Sequence, residues 1–155
     1  MVIFDIDGVI ANSSERENKF IKGKKKKSID WDLFYEAAYN DMPIPSGVLA
    51  AKAFINFLPK EEITFVTGRN ESVRDLTLKW LSKHLEIPEK DINLIMRPDG
   101  DPRTNSAFKE DVGENIGYEK IDIAFDDNGA TVNMWRSHNV KCFQTDKRNF
   151  AQNNF

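Results

Sequence analysis

The sequence predicts a three-layer α/β sandwich, in which helices cover both faces of a central parallel sheet. Two observations support this fold class. Short apolar runs rich in β-branched and aromatic residues recur along the chain, and longer amphipathic segments separate them. With 155 residues, the chain is long enough to bury a sizeable core but too short for a second full domain. We therefore expect a single domain over residues 1–155.

Five strands are expected to alternate with the helices. The apolar runs that predict strands are residues 2–6, 63–67, 92–96, 121–125 and 140–144. Apolar residues at helical spacing predict helices over residues 46–57, 72–85 and 130–137. Ser46 is the expected N-cap of the first of these helices. A helix over residues 108–116 is a weaker prediction, because Gly113 interrupts it.

The segment from about residue 12 to residue 45 departs from this alternation. It is far longer than the roughly two to six residues that usually join a strand to the next helix. The segment contains a lysine run, then aromatic residues near helical spacing, and finally two prolines: Lys22, Lys24–Lys27, Trp31, Phe34, Tyr35, Tyr39, Pro43 and Pro45. We expect a small cap that is inserted after the first strand and carries one short helix.

Composition and charge limit the possible functions. The chain has 25 acidic and 22 basic residues, so it lacks the overall basic excess that is typical of nucleic-acid binders. Cys142 is the only cysteine, which excludes an internal disulfide and fits a buried residue in a reducing compartment. No stretch has transmembrane length, and Met1 precedes the first strand too closely for a signal segment. We expect a cytoplasmic protein.

Two carboxylates lie where the first predicted strand ends. Asp5 and Asp7 are two residues apart, a spacing that puts side chains on one face of a regular strand, and Gly8 allows a sharp turn after them. Ligands of open α/β sheets bind at this carboxyl edge. An acidic turn without a function is also consistent with this pattern.

Two further strand ends carry polar residues. Thr67, Gly68 and Arg69 combine a hydroxyl, backbone N–H groups and a guanidinium, which are suitable donors for a phosphate, although Thr67 could simply cap a turn. Asp126 and Asp127 are adjacent carboxylates, which repel each other unless a cation or proton compensates. Such a pair suits Mg²⁺, and an exposed acidic turn is the alternative.

The order of these features resembles the haloacid dehalogenase (HAD) superfamily. Its four motifs correspond to Asp5 with Asp7, then Thr67, Lys109, and Asp126 with Asp127. The resemblance covers essentially the whole chain, and it implies a Rossmann-like sandwich and phosphatase activity. Within the superfamily, the chain is most similar to the 3′-phosphatase domain of phage-type polynucleotide kinase/phosphatase proteins. The residues that carry this similarity are Arg16, Gly100, Asp101, Arg103, Lys109, Met134, Trp135, Arg136, Val140, Cys142 and Gln144.

The chain departs from that subfamily in two respects. Asn105 stands where an aspartate is expected four residues before Lys109, so a contact to the lysine or the substrate could be weaker. No P-loop precedes the first motif, so 5′-kinase activity is not expected from this chain.

The resemblance implies a role for each motif residue. Asp5 would be the nucleophile, and Asp7 the general acid and base, for which its pKa would need to be raised by burial and a neighbouring carboxylate. Thr67 and Lys109 would hold the phosphoryl oxygens. Magnesium would bind Asp5, the backbone carbonyl of Asp7, and the Asp126–Asp127 pair. The expected substrate contacts are Arg16, Gly68 and Arg69, for which a role as surface charges is the alternative.

The sequence thus favours a Mg²⁺-dependent phosphatase that removes terminal 3′-phosphates from nucleic acid. A small cap leaves room for a bulky substrate, and the lysines and aromatic residues of the insertion would contact phosphates and bases. Alternatively, Trp31, Phe34 and Tyr35 simply pack the cap onto the core. A phosphatase of mononucleotides or small phosphate esters fits the net charge of −3 better. A non-catalytic nucleic-acid-binding module is a third hypothesis. A separate kinase or ligase is a possible partner, and the sequence does not indicate the oligomeric state.

Overall fold

The structure is a computed structural model that describes residues 1–146. In chain order, its strands and α-helices are β1 (Val2–Phe4), β2 (Ala11–Asn12), α1 (Ser14–Phe20), α2 (Trp31–Glu36), β3 (Met42–Pro43), α3 (Pro45–Phe57), β4 (Ile63–Asn70), α4 (Arg74–Leu85), β5 (Leu94–Arg97), α5 (Asn105–Ile116), β6 (Ile123–Asp126), α6 (Gly129–Ser137) and β7 (Lys141–Gln144). Short 3₁₀ turns lie at Lys26–Ser28, Ala37–Asn40, Lys60–Glu62, Glu71–Val73, Glu89–Asp91 and Tyr118–Lys120.

The predicted five-stranded parallel sheet is confirmed. Its strand order is β5-β4-β1-β6-β7, and every neighbouring pair is parallel. In the central strand β1, Phe4 is in register with Phe65 on one side and Phe125 on the other. Successive side chains of β1 enter different core clusters, because they alternate across the sheet. Phe4 lies in the core cluster that contains Trp80 of α4, and Ile3 in the cluster that contains Trp135 of α6.

All four predicted helices start one to three residues away from the expected positions, and α4 and α6 begin at Arg74 and Gly129 instead of residues 72 and 130. The starts of α3 and α5 have clear local causes. Ser46 is not the N-cap of α3. The N-cap is Ile44, whose apolar side chain makes no capping bond. The helix starts earlier than predicted because Pro45 already has the backbone geometry of a first helical residue. The weakly predicted helix, α5, is longer than expected and begins at Asn105, where the Thr104 hydroxyl accepts a bond from the Ala107 N–H.

The insertion contains two α-helices, α1 and α2, so the prediction of one short helix was wrong. Helix α1 buries Arg16 and Glu17 rather than apolar residues, and its sequence therefore lacks an apolar helical pattern. The antiparallel strands β2 and β3 join the two ends of the insertion. Phe34 of α2 is buried, and the Arg16 guanidinium carbon lies 4.4 Å from its ring centroid. The ring contacts of Phe34 lie within the insertion, with Phe20, Trp31 and Tyr35, whereas Tyr35 itself packs against the core. That Phe34 packs the cap onto the core stays a prediction.

Cys142 lies in β7 and packs in the core cluster that contains Trp135. Burial raises the pKa of its thiol to about 12, in agreement with the interpretation as a buried apolar residue. Over residues 1–146, none of the helices has the length and apolar character that crossing a membrane requires. The assignment of residues 1–155 to one domain with a cap over about residues 12–45 stays a prediction, and residues 147–155 lie outside the described part of the chain.

Candidate active site

The predicted motif residues surround one cavity at the carboxyl edge of the sheet. Its volume is about 320 Å³, near the lower end of the range that is typical of small-ligand sites. The motif residues that line it are Asp5, Asp7, Thr67, Gly68, Lys109 and Asp127. They converge because β1, β4 and β6 are adjacent parallel strands, whose carboxyl ends meet at the same edge.

Three of the aspartates form an acid cluster with one lysine, comprising Asp5, Asp126, Asp127 and Lys109. The Lys109 Nζ lies 2.6 Å from Asp126 Oδ2 and 3.0 Å from Asp5 Oδ2. Carboxylate oxygens of the three aspartates lie within 4.8 Å of one another. All four residues are buried. Lys109 thus contacts two of three closely spaced carboxylates.

The excess of carboxylates alters the ionisation of the acid cluster. Burial raises the pKa of Asp5 to about 8; Lys109 opposes this shift, and the nearby aspartates reinforce it. Burial also raises the pKa of Asp126 against the effect of Lys109. The pKa of Lys109 is raised, because Asp126 and Asp5 outweigh the effect of its own burial. A divalent cation between these carboxylates would favour their ionised forms, and Mg²⁺ prefers such oxygen ligands. The residues thus fit the predicted metal.

A second buried network holds Asp7 on the other side of the site. In this arginine clamp, Asp7 and Asp41 bind the guanidinium groups of Arg16 and Arg69. Asp7 Oδ1 lies 2.5 Å from Arg16 Nη2 and 2.6 Å from Arg69 Nη2. Asp41 Oδ2 lies 2.8 Å from Arg16 Nε and 3.4 Å from Arg69 Nη2. Trp80 Nε1 donates to the Asp41 carbonyl oxygen at 2.8 Å and so fixes the insertion to α4.

The clamp contradicts the expected raised pKa of Asp7. Burial alone would raise the pKa of this carboxyl, but Arg16 and Arg69 outweigh burial and hold it well below its usual range. Arg16 and Arg69 are not surface charges either, since both side chains are almost completely buried. Whether they also contact a substrate stays a prediction.

Asp41 was missed at the level of sequence. It lies just before β3, where the insertion ends, and its carboxylate is buried between the two guanidinium groups. Burial raises its pKa to about 6, and the negative charge of Asp7 adds to this shift. No local pattern distinguishes Asp41 from the other acidic residues of the chain. Its position before Pro43 and Pro45, which end the insertion, is the one available signal.

The loop after Thr67 approaches other parts of the site closely. The Thr67 hydroxyl oxygen accepts a bond of 3.3 Å from the Arg69 N–H. The Tyr35 hydroxyl donates to the Gly68 carbonyl oxygen, also at 3.3 Å, and joins the insertion to this loop. A Cβ at Gly68 would collide with the Asn105 side chain, so glycine is required for this approach. That the Gly68 backbone binds substrate stays a prediction.

The remaining cavity wall combines aromatic and basic side chains. Trp31, Phe34 and Tyr35 come from α2, and the Trp31 and Tyr35 rings are stacked with centroids 6.0 Å apart. Lys26 of the lysine run also lines the cavity. Arg97, at the end of β5, was not singled out in the sequence, because it was one of many basic residues.

Comparisons with known proteins agree with this geometry. The family described as the polynucleotide kinase PNKP phosphatase domain matches residues 1–150. A chain in a structure of the Pnkp1/Rnl/Hen1 RNA repair complex is similar in fold, with a TM-score of 0.68 and 22% identity over 96% of this chain and 43% of that one. A second structure of the complex has a TM-score of 0.67 and 23% identity, over 96% and 46% of the two chains. The chain thus spans less than half the length of these relatives.

A further structure shows the fold at nearly full length of both proteins. The predicted HAD-like family hydrolase from Porphyromonas gingivalis has a TM-score of 0.56 and 11% identity, over 97% of this chain and 93% of that one. At such low identity, the structural comparisons establish the HAD-like fold alone. They confirm the predicted fold class.

Proposed function

We propose that this chain, which belongs to the PNKP phosphatase domain family, is a Mg²⁺-dependent phosphatase that removes terminal 3′-phosphates from nucleic acid. One observation carries the proposal. The acid cluster brings three carboxylates and Lys109 together beside an accessible cavity that Thr67 also lines. This combination supplies a nucleophile, a cation site and donors for phosphoryl oxygens.

Asp5 is the nucleophile in this proposal. The Ile6 N–H donates to Asp5 Oδ1 at 2.8 Å, and Lys109 lies 3.0 Å from Oδ2, so the carboxylate is held in a fixed orientation. An Asp5 oxygen attacks the phosphorus, the bond to the leaving oxygen breaks, and an aspartyl-phosphate forms. Water then attacks the phosphorus, the bond between phosphorus and the Asp5 oxygen breaks, and inorganic phosphate leaves while the Asp5 carboxylate is restored. Lys109 and Thr67 bind the phosphoryl oxygens in both steps. Asp5, the Asp7 carbonyl and the Asp126–Asp127 pair would hold Mg²⁺, which would supply charge neutralisation.

Asp7 is proposed to move the protons. The clamp keeps Asp7 ionised. Asp7 can therefore act as the base that takes a proton from the attacking water in the second step. In the first step it must give a proton to the leaving oxygen. A phosphate that enters beside Asp7 raises its pKa through like-charge repulsion and thus opposes the two guanidinium groups. The clamp therefore keeps Asp7 deprotonated in the free protein, and the bound substrate must raise the pKa of Asp7 before it can donate a proton.

The walls of the cavity support a nucleic-acid substrate. The stacked Trp31 and Tyr35 rings offer a surface for a base, and Lys26 offers a contact for a backbone phosphate. The longer Pnkp1/Rnl/Hen1 relatives suggest that a kinase or ligase elsewhere in the same protein or in a partner acts on the same ends. The net charge of −3 supports mononucleotides as the competing substrates.

Phosphate release in Mg²⁺ from four substrates tests the proposal. These are oligonucleotides with a 3′-phosphate, one in DNA and one in RNA, an oligonucleotide with a 5′-phosphate, and a 3′-mononucleotide. We expect a 3′-phosphorylated oligonucleotide to have the highest kcat/KM. Equal or faster release from the mononucleotide would contradict the polymer preference. Binding of oligonucleotide without any release would instead indicate a non-catalytic module.

A further inference from the structure

Arg97 differs from the other arginines and from the catalytic lysine around the cavity, because those cations have carboxylate partners. Arg16 and Arg69 bind Asp7 and Asp41, and Lys109 binds Asp5 and Asp126. Arg103, which also lines the cavity, lies 2.6 Å from Asp101 and 3.3 Å from Asp111. Within residues 1–146, Arg97 has no carboxylate within ion-pair distance. It donates instead to the neutral side-chain oxygen of Asn105.

Contacts with two uncharged side chains hold the Arg97 guanidinium group in place. Nη2 donates to Asn105 Oδ1, and the guanidinium carbon lies 5.7 Å from the Phe108 ring centroid. Nε is buried and has no hydrogen-bond partner among the described residues. Asn105 is in turn held against Gly68. Arg97 therefore presents to the cavity a guanidinium group that no carboxylate of residues 1–146 contacts. Hydrogen bonds from Arg103 lower the pKa of the nearby Asp101, and the Arg97 charge adds to this shift.

This position separates Arg97 from the nucleophile and places it near the aromatic wall. Strand β4 lies between β5 and β1, so two strand spacings separate the backbones of Arg97 and Asp5, which are at least about 10 Å apart. Tyr35 lies on the Arg97 side: burial raises the pKa of the Tyr35 hydroxyl, and the Arg97 charge opposes this shift. An anion bound by Arg97 would thus lie beside the surface proposed for a base.

We propose that Arg97 forms a second anion subsite, which binds a phosphate group adjacent to the terminal phosphate that is removed. This inference rests on the proposed function. In a polynucleotide the adjacent group is the next phosphodiester, and in a nucleoside 3′,5′-bisphosphate it is the 5′-phosphate. Asn105 enables the subsite, because an aspartate there would pair with Arg97 and neutralise it.

Equilibrium binding to the Asp5→Asn protein in Mg²⁺ tests the subsite without requiring turnover. The probes are adenosine 3′-monophosphate, adenosine 3′,5′-bisphosphate and a 3′-phosphorylated dinucleotide, measured by calorimetry. A charge-assisted contact to the second phosphate should tighten binding about tenfold over the monophosphate. Stronger binding of the dinucleotide identifies a polynucleotide end as the source of the second phosphate, and stronger binding of the bisphosphate identifies a free nucleotide.

Three variants of the Asp5→Asn protein test whether Arg97 causes the tighter binding of the probes that carry a second phosphate, which is called the affinity advantage. Arg97→Gln should remove this advantage by deleting the charge, and Asn105→Asp should remove it by pairing the charge. Arg103→Gln is the matched control and should retain it, because the charge of Arg103 is already compensated. Thermal unfolding checks that each variant is folded. Equal binding of all three probes to the parent protein, or an advantage that survives Arg97→Gln, would overturn the subsite. Absence of turnover in the wild-type protein would overturn the proposed function. The binding measurements would still decide whether Arg97 forms a second anion subsite.

Discussion

The acid cluster and the arginine clamp lie on the same cavity but differ in charge balance. The clamp pairs two guanidinium groups with two carboxylates, whereas the cluster crowds three carboxylates together, two of which contact Lys109. Carboxylates that pair with guanidinium groups are fixed in position by them. Carboxylates that lie close to one another favour the binding of a cation or a proton between them. The clamp therefore suits a structural role around Asp7, and the cluster suits binding and catalysis.

The largest expected effect is on catalysis, in the acid cluster. Asp5→Asn should lower kcat at least about 10³-fold, because the amide cannot attack phosphorus. Phosphate release from a 3′-phosphorylated oligonucleotide measures this effect, and circular dichroism checks the fold. Asp75→Asn, on the exposed surface of α4, is the control and should retain wild-type activity. Activity of Asp5→Asn near the wild-type level would exclude the proposed nucleophile.

The next largest effect is on stability, in the clamp. Asp41→Asn should lower the free energy of unfolding by about 3 kcal/mol, since it leaves Arg16 and Arg69 with less compensation in a buried position. Urea unfolding followed by tryptophan fluorescence measures the loss. A change below about 0.5 kcal/mol, as for ordinary surface substitutions, would show that the clamp does not stabilise the fold.

Stabilisation by Mg²⁺ should depend on the acid cluster and not on the arginine clamp. At 100 times its dissociation constant, the ion should stabilise the protein by about 2.7 kcal/mol, or roughly 5–10 °C in the thermal midpoint. Asp127→Asn should lose most of this shift. Asp41→Asn should start from a lower midpoint and keep the shift, because Asp41 is outside the acid cluster. An equal loss of the shift in both variants would show that the networks are not independent.

The acid cluster should also give the metal-free protein a distinct pH dependence. The pKa of Asp5 is about 8 in the folded state, against 3.8 for an aspartate that is fully exposed to water. Between these values the folded state binds more protons than the unfolded state, so the contribution of Asp5 to stability falls as the pH rises. In EDTA, Asp5→Asn should therefore gain stability relative to wild type between about pH 5 and pH 8. A difference that does not change with pH would contradict the raised pKa.

The sheet and the acid cluster could be predicted from sequence because their signals are local. The five strands are apolar runs, and the acids follow those runs directly, so the parallel topology alone brings Asp5 and Asp126 together. Most strand ends shifted by one to three residues. The largest shift is at the end of β4, which continues to Asn70 past an irregularity in its pairing with β5. Element type was therefore more predictable than element boundary.

The clamp could not be predicted, because its partners depend on tertiary contacts. Asp7 and Arg69 are 62 residues apart, and Arg16 and Asp41 are 25 apart. Helix α1 lacks an apolar pattern because it buries Arg16, which the clamp compensates, and Glu17, which accepts a bond from the Ser13 hydroxyl. The expectation for Asp7 failed for the same reason: two guanidinium groups from distant segments reverse the pKa shift that burial would cause.

The smallest expected effect is on stability, at the N-terminal ends of helices α5 and α3. Helix α5 carries Lys109 and has a side-chain cap, since the Thr104 hydroxyl accepts from the Ala107 N–H at 3.2 Å. Thr104→Ala should lower the free energy of unfolding by about 1 kcal/mol. Ser46→Ala is the matched control at the start of α3, which follows the clamp. It should change stability by less than about 0.5 kcal/mol, because Ser46 makes no cap there. Equal losses in the two variants, measured by urea unfolding, would show that the bond at Thr104 does not stabilise the helix that positions Lys109.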